Sequence, residues 1–132
     1  MSRNDNIDCP FCQTSTGHQL ILEIEDVIAI YDRFPVSPGH ALVIPRRHCA
    51  NYFELTQTEK DNCWKVVNEV KKILDVEFSP DGYNVGINVG HAAGQTIPHV
   101  HIHLIPRYHG DLPDPEGGVR GVIPAKRKYG SI

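Results

Sequence analysis

The chain reads as an α+β fold, an antiparallel sheet with one main amphipathic helix. Apolar residues recur at every second position in five short runs and at every third or fourth position in one longer run. No internal repeat is evident, and several strands around one helix point to a sheet with the helix laid on one face.

At 132 residues the chain is long enough for one cored domain and too short for two. Its net charge of −3 argues against a nucleic-acid backbone binder, whose affinity needs a clustered positive surface. No apolar run approaches the ~20 residues of a membrane span, and the opening Met1-Ser2-Arg3-Asn4-Asp5-Asn6 is too polar for a secretion signal. The expected setting is cytoplasmic, where thiols stay reduced. Four cysteines then mean something other than a disulfide scaffold: Cys49 and Cys63 are isolated and read as ordinary packing or surface residues.

In chain order, Cys9-Pro10-Phe11-Cys12 comes first, with the spacing of a zinc half-site or a redox motif. The redox reading needs a strand before it and a helix after it. Only eight residues, mostly polar, precede it and Gln13-Thr14-Ser15-Thr16-Gly17 follows, so zinc ranks first. Leu20, Leu22 and Ile24 begin a two-fold pattern that resumes with Val27, Ala29 and Tyr31 against Ile28 and Ile30, with Glu25-Asp26 as the tight turn between two strands. The loop Arg33 to Gly39, with two prolines, returns the chain into a strand over His40 to Ile44 that Pro45 ends. Arg46 and Arg47 beyond it are either a solvated face or a phosphate-steering pair.

The helix runs from Thr56 to Glu77. Thr56-Gln57-Thr58-Glu59 is a capping box, and Trp64, Val67, Val70 and Leu74 form the core-facing stripe. Ser79-Pro80-Asp81-Gly82 stops it. Tyr83, Val85, Ile87 and Val89 then alternate with Asn84, Gly86, Asn88 and Gly90, a strand whose polar side ends in Asn88. A glycine-rich turn, Gly94-Gln95-Thr96-Ile97-Pro98, leads into the last strand. Residues 110–132 are rich in proline and glycine without helical period, so this tail is expected to pack on the surface or on a partner protomer, apart from a catalytic domain over 1–109.

The last strand carries the chemistry. His99, His101 and His103 alternate with Val100, Ile102 and Leu104, so an extended chain has one imidazole face and one packing face. Imidazole serves as base, acid, nucleophile or metal ligand near neutral pH. His101 has a neighbour on either side, His99 and His103, able to orient it, stabilise phosphate charge or protonate a leaving group, which makes it the nucleophile. Backbone amides of Gly94, Gln95, Thr96 and Ile97 can donate to phosphoryl oxygens.

His-Val-His-Ile-His-Leu-Ile resembles the signature of the histidine triad (HIT) nucleotide hydrolases and transferases, over residues 7 to 109. Gly94-Gln95-Thr96 before it and Pro106-Arg107 after it resemble the diadenosine polyphosphate hydrolase branch more than the nucleoside phosphoramidase branch. The resemblance implies a half-barrel sheet, a homodimer, and His101 as the residue that becomes nucleotidylated. It also implies that Asn88, Gln95, Thr96 and His103 contact phosphate and that Asp32 bonds the ribose hydroxyls. By the residues alone, Asp32 can equally cap the turn before Arg33, and Gln95 and Thr96 can serve ordinary turn hydrogen bonds. Ile30 and Phe34 are candidate walls for the base.

Some members of the family bind zinc through two cysteines, a distant histidine and the first triad histidine. That implies a closed, structural site of Cys9, Cys12, His48 and His99; the alternative is a bare thiol pair with His48 bonded to His99. Transferase branches replace the third histidine by glutamine, so His103 favours hydrolysis. The expected function is cleavage of a dinucleoside polyphosphate or related phosphoanhydride at the α-phosphorus. The alternatives are a nucleoside phosphoramidase, a non-catalytic nucleotide-binding module, and a metallohydrolase whose three histidines hold a catalytic metal.

Overall fold

The computed structural model describes residues 8–12 and 18–130. The polar opening, the segment 13–17 used to set redox chemistry aside, and the last two residues of the tail lie outside the described residues.

Five strands, β1 (Leu20–Ile24), β2 (Val27–Tyr31), β3 (Ala41–Pro45), β4 (Gly82–Ile87) and β5 (Ile102–Arg107), form one open sheet in the order β1-β2-β3-β5-β4, every neighbour antiparallel. Glu25, at φ +56°, makes the tight turn between β1 and β2. Helix α1 (Gln57–Phe78) follows β3, with both halves of the capping box formed: the Thr56 side chain accepts from the Glu59 amide, and the Glu59 carboxylate accepts from the Thr56 amide.

Alternation along the strands divides the core in two. Val27, Ala29, Ala41, Val43, Ile102 and Leu104 face α1, meeting its buried Val66, Val70 and Leu74. Full burial of a residue such as Leu74 stabilises by about 2 kcal/mol. Ile28, Ile30, Leu42 and Ile44 face the other way and are covered by Cys9 and Phe11. The sheet is therefore closed on one side by a helix and on the other by the Cys-x-x-Cys turn.

Three expectations need correction. Trp64 does not join the core stripe: it is 39% exposed, its indole N–H donating to the Tyr52 hydroxyl, while Cys63 and Val66 take the buried positions. Strand β3 runs one residue later than the expected His40 to Ile44, with His40 outside it and Pro45, which does end it, its last residue opposite Val27. The ladder of β5 begins only at Ile102, so His99, Val100 and His101 form an approach held by the Val100 amide donating to the Cys49 carbonyl (2.8 Å). The tail makes two 3-10 segments, Gly118–Val122 and Pro124–Lys126, the first beside β4.

Candidate active site and metal cluster

The three triad histidines share one side of the sheet but not one environment. His101 and His103 line a cavity of about 410 Å³, together with Asp32, Asn88, Gly94, Gln95, Thr96 and Ile97. Every residue expected to bind substrate thus borders the same space. The ring of His99, fully buried, borders instead the cluster with Cys9, Cys12 and His48; it touches the cavity's chemistry only through its carbonyl.

Hydrogen bonds fix the tautomers. His101 donates Nδ1–H to the His99 carbonyl (2.8 Å), which leaves the Nε2 lone pair for the cavity. Burial pushes its pKa down, against the opposing influence of that bond and of Asp32, so the ring is neutral and its lone pair available at neutral pH. Phe11, buried at the tip of the Cys-x-x-Cys turn, packs on this ring with centroids 4.9 Å apart.

His103 is set from the opposite side. The Val36 amide donates to His40 Nδ1 (3.1 Å), so the neutral His40 ring carries its proton on Nε2, 3.0 Å from His103 Nδ1 and 3.5 Å from Asp32 Oδ2. Donation from His40 makes His103 Nδ1 an acceptor and leaves Nε2–H of His103 as a donor toward the site. Burial, then the charges of His101 and His40, lower the His103 pKa to about 4. The same logic removes Asp32, His40 and His103 as a metal-holding trio, although their donor atoms lie close together. His40 cannot offer Nε2 to a cation while Nδ1 accepts from Val36.

Neither Phe11 nor His40 stands out in the sequence. His40 shares the face of Leu42 and Ile44, and Leu42 pairs with His103. That pairing of distant strands is what gives a lone histidine its place.

Asp32 serves both of its readings: Oδ1 accepts from the Phe34 amide (2.9 Å) in a turn, while Oδ2 stays on the cavity side near His40. Gln95 is committed to its loop, its Oε1 accepting from the Gly90 amide (2.8 Å) and its Nε2 donating to the Ala50 (2.8 Å) and Ile97 (3.1 Å) carbonyls. Gly94, at φ +93°, supplies the left-handed residue this turn requires. Arg46 and Arg47 do not border the cavity; they pair with Glu23 and, in a two-pronged contact, with Glu59. Ile30 and Phe34 both line the cavity, Ile30 buried and Phe34 exposed.

The cluster behind the triad fits a metal. His99 Nε2–H donates to the Pro45 carbonyl (2.7 Å), so its Nδ1 presents a lone pair to His48 Nδ1 (3.3 Å), Cys9 Sγ (3.4 Å) and Cys12 Sγ (3.5 Å). Cys12 Sγ lies 3.1 Å from His48 Nδ1. In a tetrahedral site with zinc–nitrogen bonds of about 2.0 Å and zinc–sulfur bonds of about 2.3 Å, donor atoms stand about 3.3 to 3.8 Å apart. Two nitrogens, two sulfurs and a carbonyl orienting one imidazole from behind make a donor set of the right size and chemistry. These four residues can hold a metal.

Comparison with known proteins adds four findings. The HIT domain profile matches residues 13–110. An uncharacterised HIT-like protein of Methanocaldococcus jannaschii is 39% identical over 106 residues, 78% of this chain and 81% of its own. The asymmetrical bis(5'-nucleosyl)-tetraphosphatase of Schizosaccharomyces pombe is 36% identical over 102 residues, 77% of this chain, which spans a little over half (56%) of that relative. Among solved structures, a zinc-bound histidine triad family protein from Mycobacterium smegmatis superposes with a TM-score of 0.73 at 31% identity, covering 90% of this chain and 93% of that one.

Proposed function

The chain belongs to the HIT family, and on that premise we propose that it is a nucleotide hydrolase cleaving a dinucleoside polyphosphate, or a related nucleoside phosphoanhydride, at the α-phosphorus. The observation that carries the reading is His101, a neutral imidazole whose Nδ1–H is tied to the His99 carbonyl and whose Nε2 is left for the cavity. That lone pair forms a bond to phosphorus while the bond from phosphorus to the bridging oxygen breaks. Water then cleaves the nitrogen–phosphorus bond and releases a nucleoside monophosphate. His103 donates through Nε2–H to a phosphoryl oxygen, and the Thr96 and Ile97 amides with Asn88 hold the remaining charge; the Gly94 and Gln95 amides, expected to join them, donate instead to the His91 (2.9 Å) and Gly90 (3.1 Å) carbonyls and shape the turn. Asp32 Oδ2 accepts from the ribose hydroxyls, and Phe11, Ile30 and Phe34 wall the base. Gln95 acts by shaping the loop.

Zinc is the metal we assign to Cys9, Cys12, His48 and His99. A closed Cys2His2 set leaves no position for substrate, so its role is structural. Bound there, zinc supplies a clamp between the Cys-x-x-Cys turn and the triad approach. The four thiols, in no disulfide among the described residues, suit a reducing cytoplasm.

The test is His101→Ala assayed on diadenosine polyphosphates and on adenosine phosphoramidate, with product identified. The wild type is expected to release AMP, and the variant to bind substrate with turnover reduced at least a thousandfold. Wild-type-like turnover in the variant removes His101 from this role, and absence of AMP from every substrate with the wild type overturns the hydrolase reading.

A further inference from the structure

A second cavity, of about 440 Å³, opens from the first across His40, Asn88 and His103, which border both. Its floor is the triad side of the sheet beyond His103, because strand register sets Gly86 beside His103 and Asn84 beside Ile105. Its far wall is the tail, through Val119 and Val122.

Two features mark this lobe as a built site. First, the passage from His103 is kept open by Gly86, where an added Cβ would meet nothing within 4 Å. Any side chain there would project into the junction. Second, the tail is fastened in its own right. The Arg120 guanidinium donates to the Lys126 (2.7 Å) and Arg127 (3.1 Å) carbonyls, Lys128 pairs with Asp114 (2.7 Å), and Gly117, at φ +94°, brings its backbone so near the Arg127 carbonyl that a Cβ would collide with it. This scaffold holds Val119 and Val122 out at 61% and 76% exposure. Apolar side chains held rigidly against a cavity are what an uncharged planar ligand needs.

We infer that this lobe receives the nucleoside of the leaving nucleotide, so that residues 118–122 select substrates by their second half. The inference rests on the hydrolase reading and extends it. The lobe's chemistry suits a base and not a phosphate: among the described residues no lysine or arginine borders it, and Asn84 and Asn88 are its uncharged polar side chains. With the α-phosphate at His101, the polyphosphate bridge crosses the junction at His103 and the second base lies between Ile105 and the two valines. A substrate with a small leaving group never enters the lobe.

The experiment compares kcat/KM for a diadenosine polyphosphate and for adenosine phosphoramidate in wild type, Val119→Trp and Val122→Trp, both substitutions at exposed positions that leave the core intact. Filling the lobe should lower the ratio of the two at least tenfold. A ratio unchanged in both variants overturns the inference while leaving the hydrolase reading in place, whereas no AMP from either substrate with the wild type overturns that reading itself. Hydrogen exchange provides a readout independent of turnover. A non-hydrolysable dinucleoside polyphosphate bound to the wild type should slow exchange across 118–122 where AMP does not, and equal protection by both ligands also overturns the lobe.

Discussion

Burial is what gives the histidines of the cavity their chemistry, and it makes them liabilities in acid. The unfolded chain takes up a proton on His103 near the ordinary value of 6.5, the folded chain only near 4, so between these values the unfolded state binds more protons. The stabilising contribution is complete above pH 6.5 and is lost as pH falls toward 4. Lowering pH from 6.5 to 5 should cost roughly 1 to 2 kcal/mol through this one group. Urea titrations at the two pH values on wild type and His103→Gln check it: the variant, which cannot titrate there, should lose less stability by that amount, and equal losses would place His103 in a solvated setting. Asp32 works differently. Its Oδ2 is the cavity's only carboxylate oxygen among the described lining residues, so Asp32→Ala should raise KM by the equivalent of about 1 to 3 kcal/mol, with kcat changed far less. A normal KM would leave Asp32 as the cap of the Phe34 turn alone.

At the scale of elements, the Cys-x-x-Cys turn is the lid of the second core, and the four-residue cluster that can hold a metal ties it to the triad approach. Thiols must lose their protons to bind metal, and burial pushes the Cys9 thiol the other way, so metal binding should weaken as pH falls. Cys9→Ser and Cys12→Ser should each lose the metal by elemental analysis and melt at lower temperature, with activity falling less steeply than in His101→Ala. A full zinc complement in either variant would contradict the ligand set. The elements themselves are largely legible in the sequence. The 3.6-residue period with its capping box finds α1 within a residue at each end, and alternation, or for β2 and β3 a short apolar run bounded by turn residues, finds all five strands. What one chain's periodicity cannot show is which strands become neighbours. That hides His40, which acquires its partner only because β3 lies beside β5, and it hides the start of the β5 ladder, since His99 and Val100 continue the alternation while the His99 ring bonds to the Pro45 carbonyl and the Val100 amide to the Cys49 carbonyl, outside the ladder. Trp64 misleads for another reason: its size suggests the core, and Val67, Val70 and Leu74 of the expected stripe are buried, but at its first position Cys63 turns inward instead and the Trp64 indole donates to the Tyr52 hydroxyl on the surface.

For the molecule as a whole, the remaining question is what covers the outer face of α1. Cys63, Val66, Val70 and Leu74 turn inward, yet exposed apolar side chains flank that stripe, Trp64 on one side and Ile73 at 37% exposure with Val76 at 86% on the other. Ile73 and Val76 join Leu22 and Ile24 of edge strand β1 in a shallow apolar groove. Such a surface on a small chain suits a homodimer, as the family resemblance implies, in which the same patch meets itself across a two-fold axis. A stable interface buries about 800 Å² per partner, more than these side chains offer alone, so the neighbouring strand edge must take part. Light scattering at micromolar concentration should return twice the chain mass. Val76→Glu together with Ile73→Glu should then shift the protein to monomer, because a two-fold contact sets each new carboxylate near its own copy. Melting should stay cooperative, since neither residue belongs to the buried core. A monomeric wild type would contradict the dimer. A dimer that survives both charges would move the interface away from the helix, with the edge of β4 at the other end of the sheet the next surface to test.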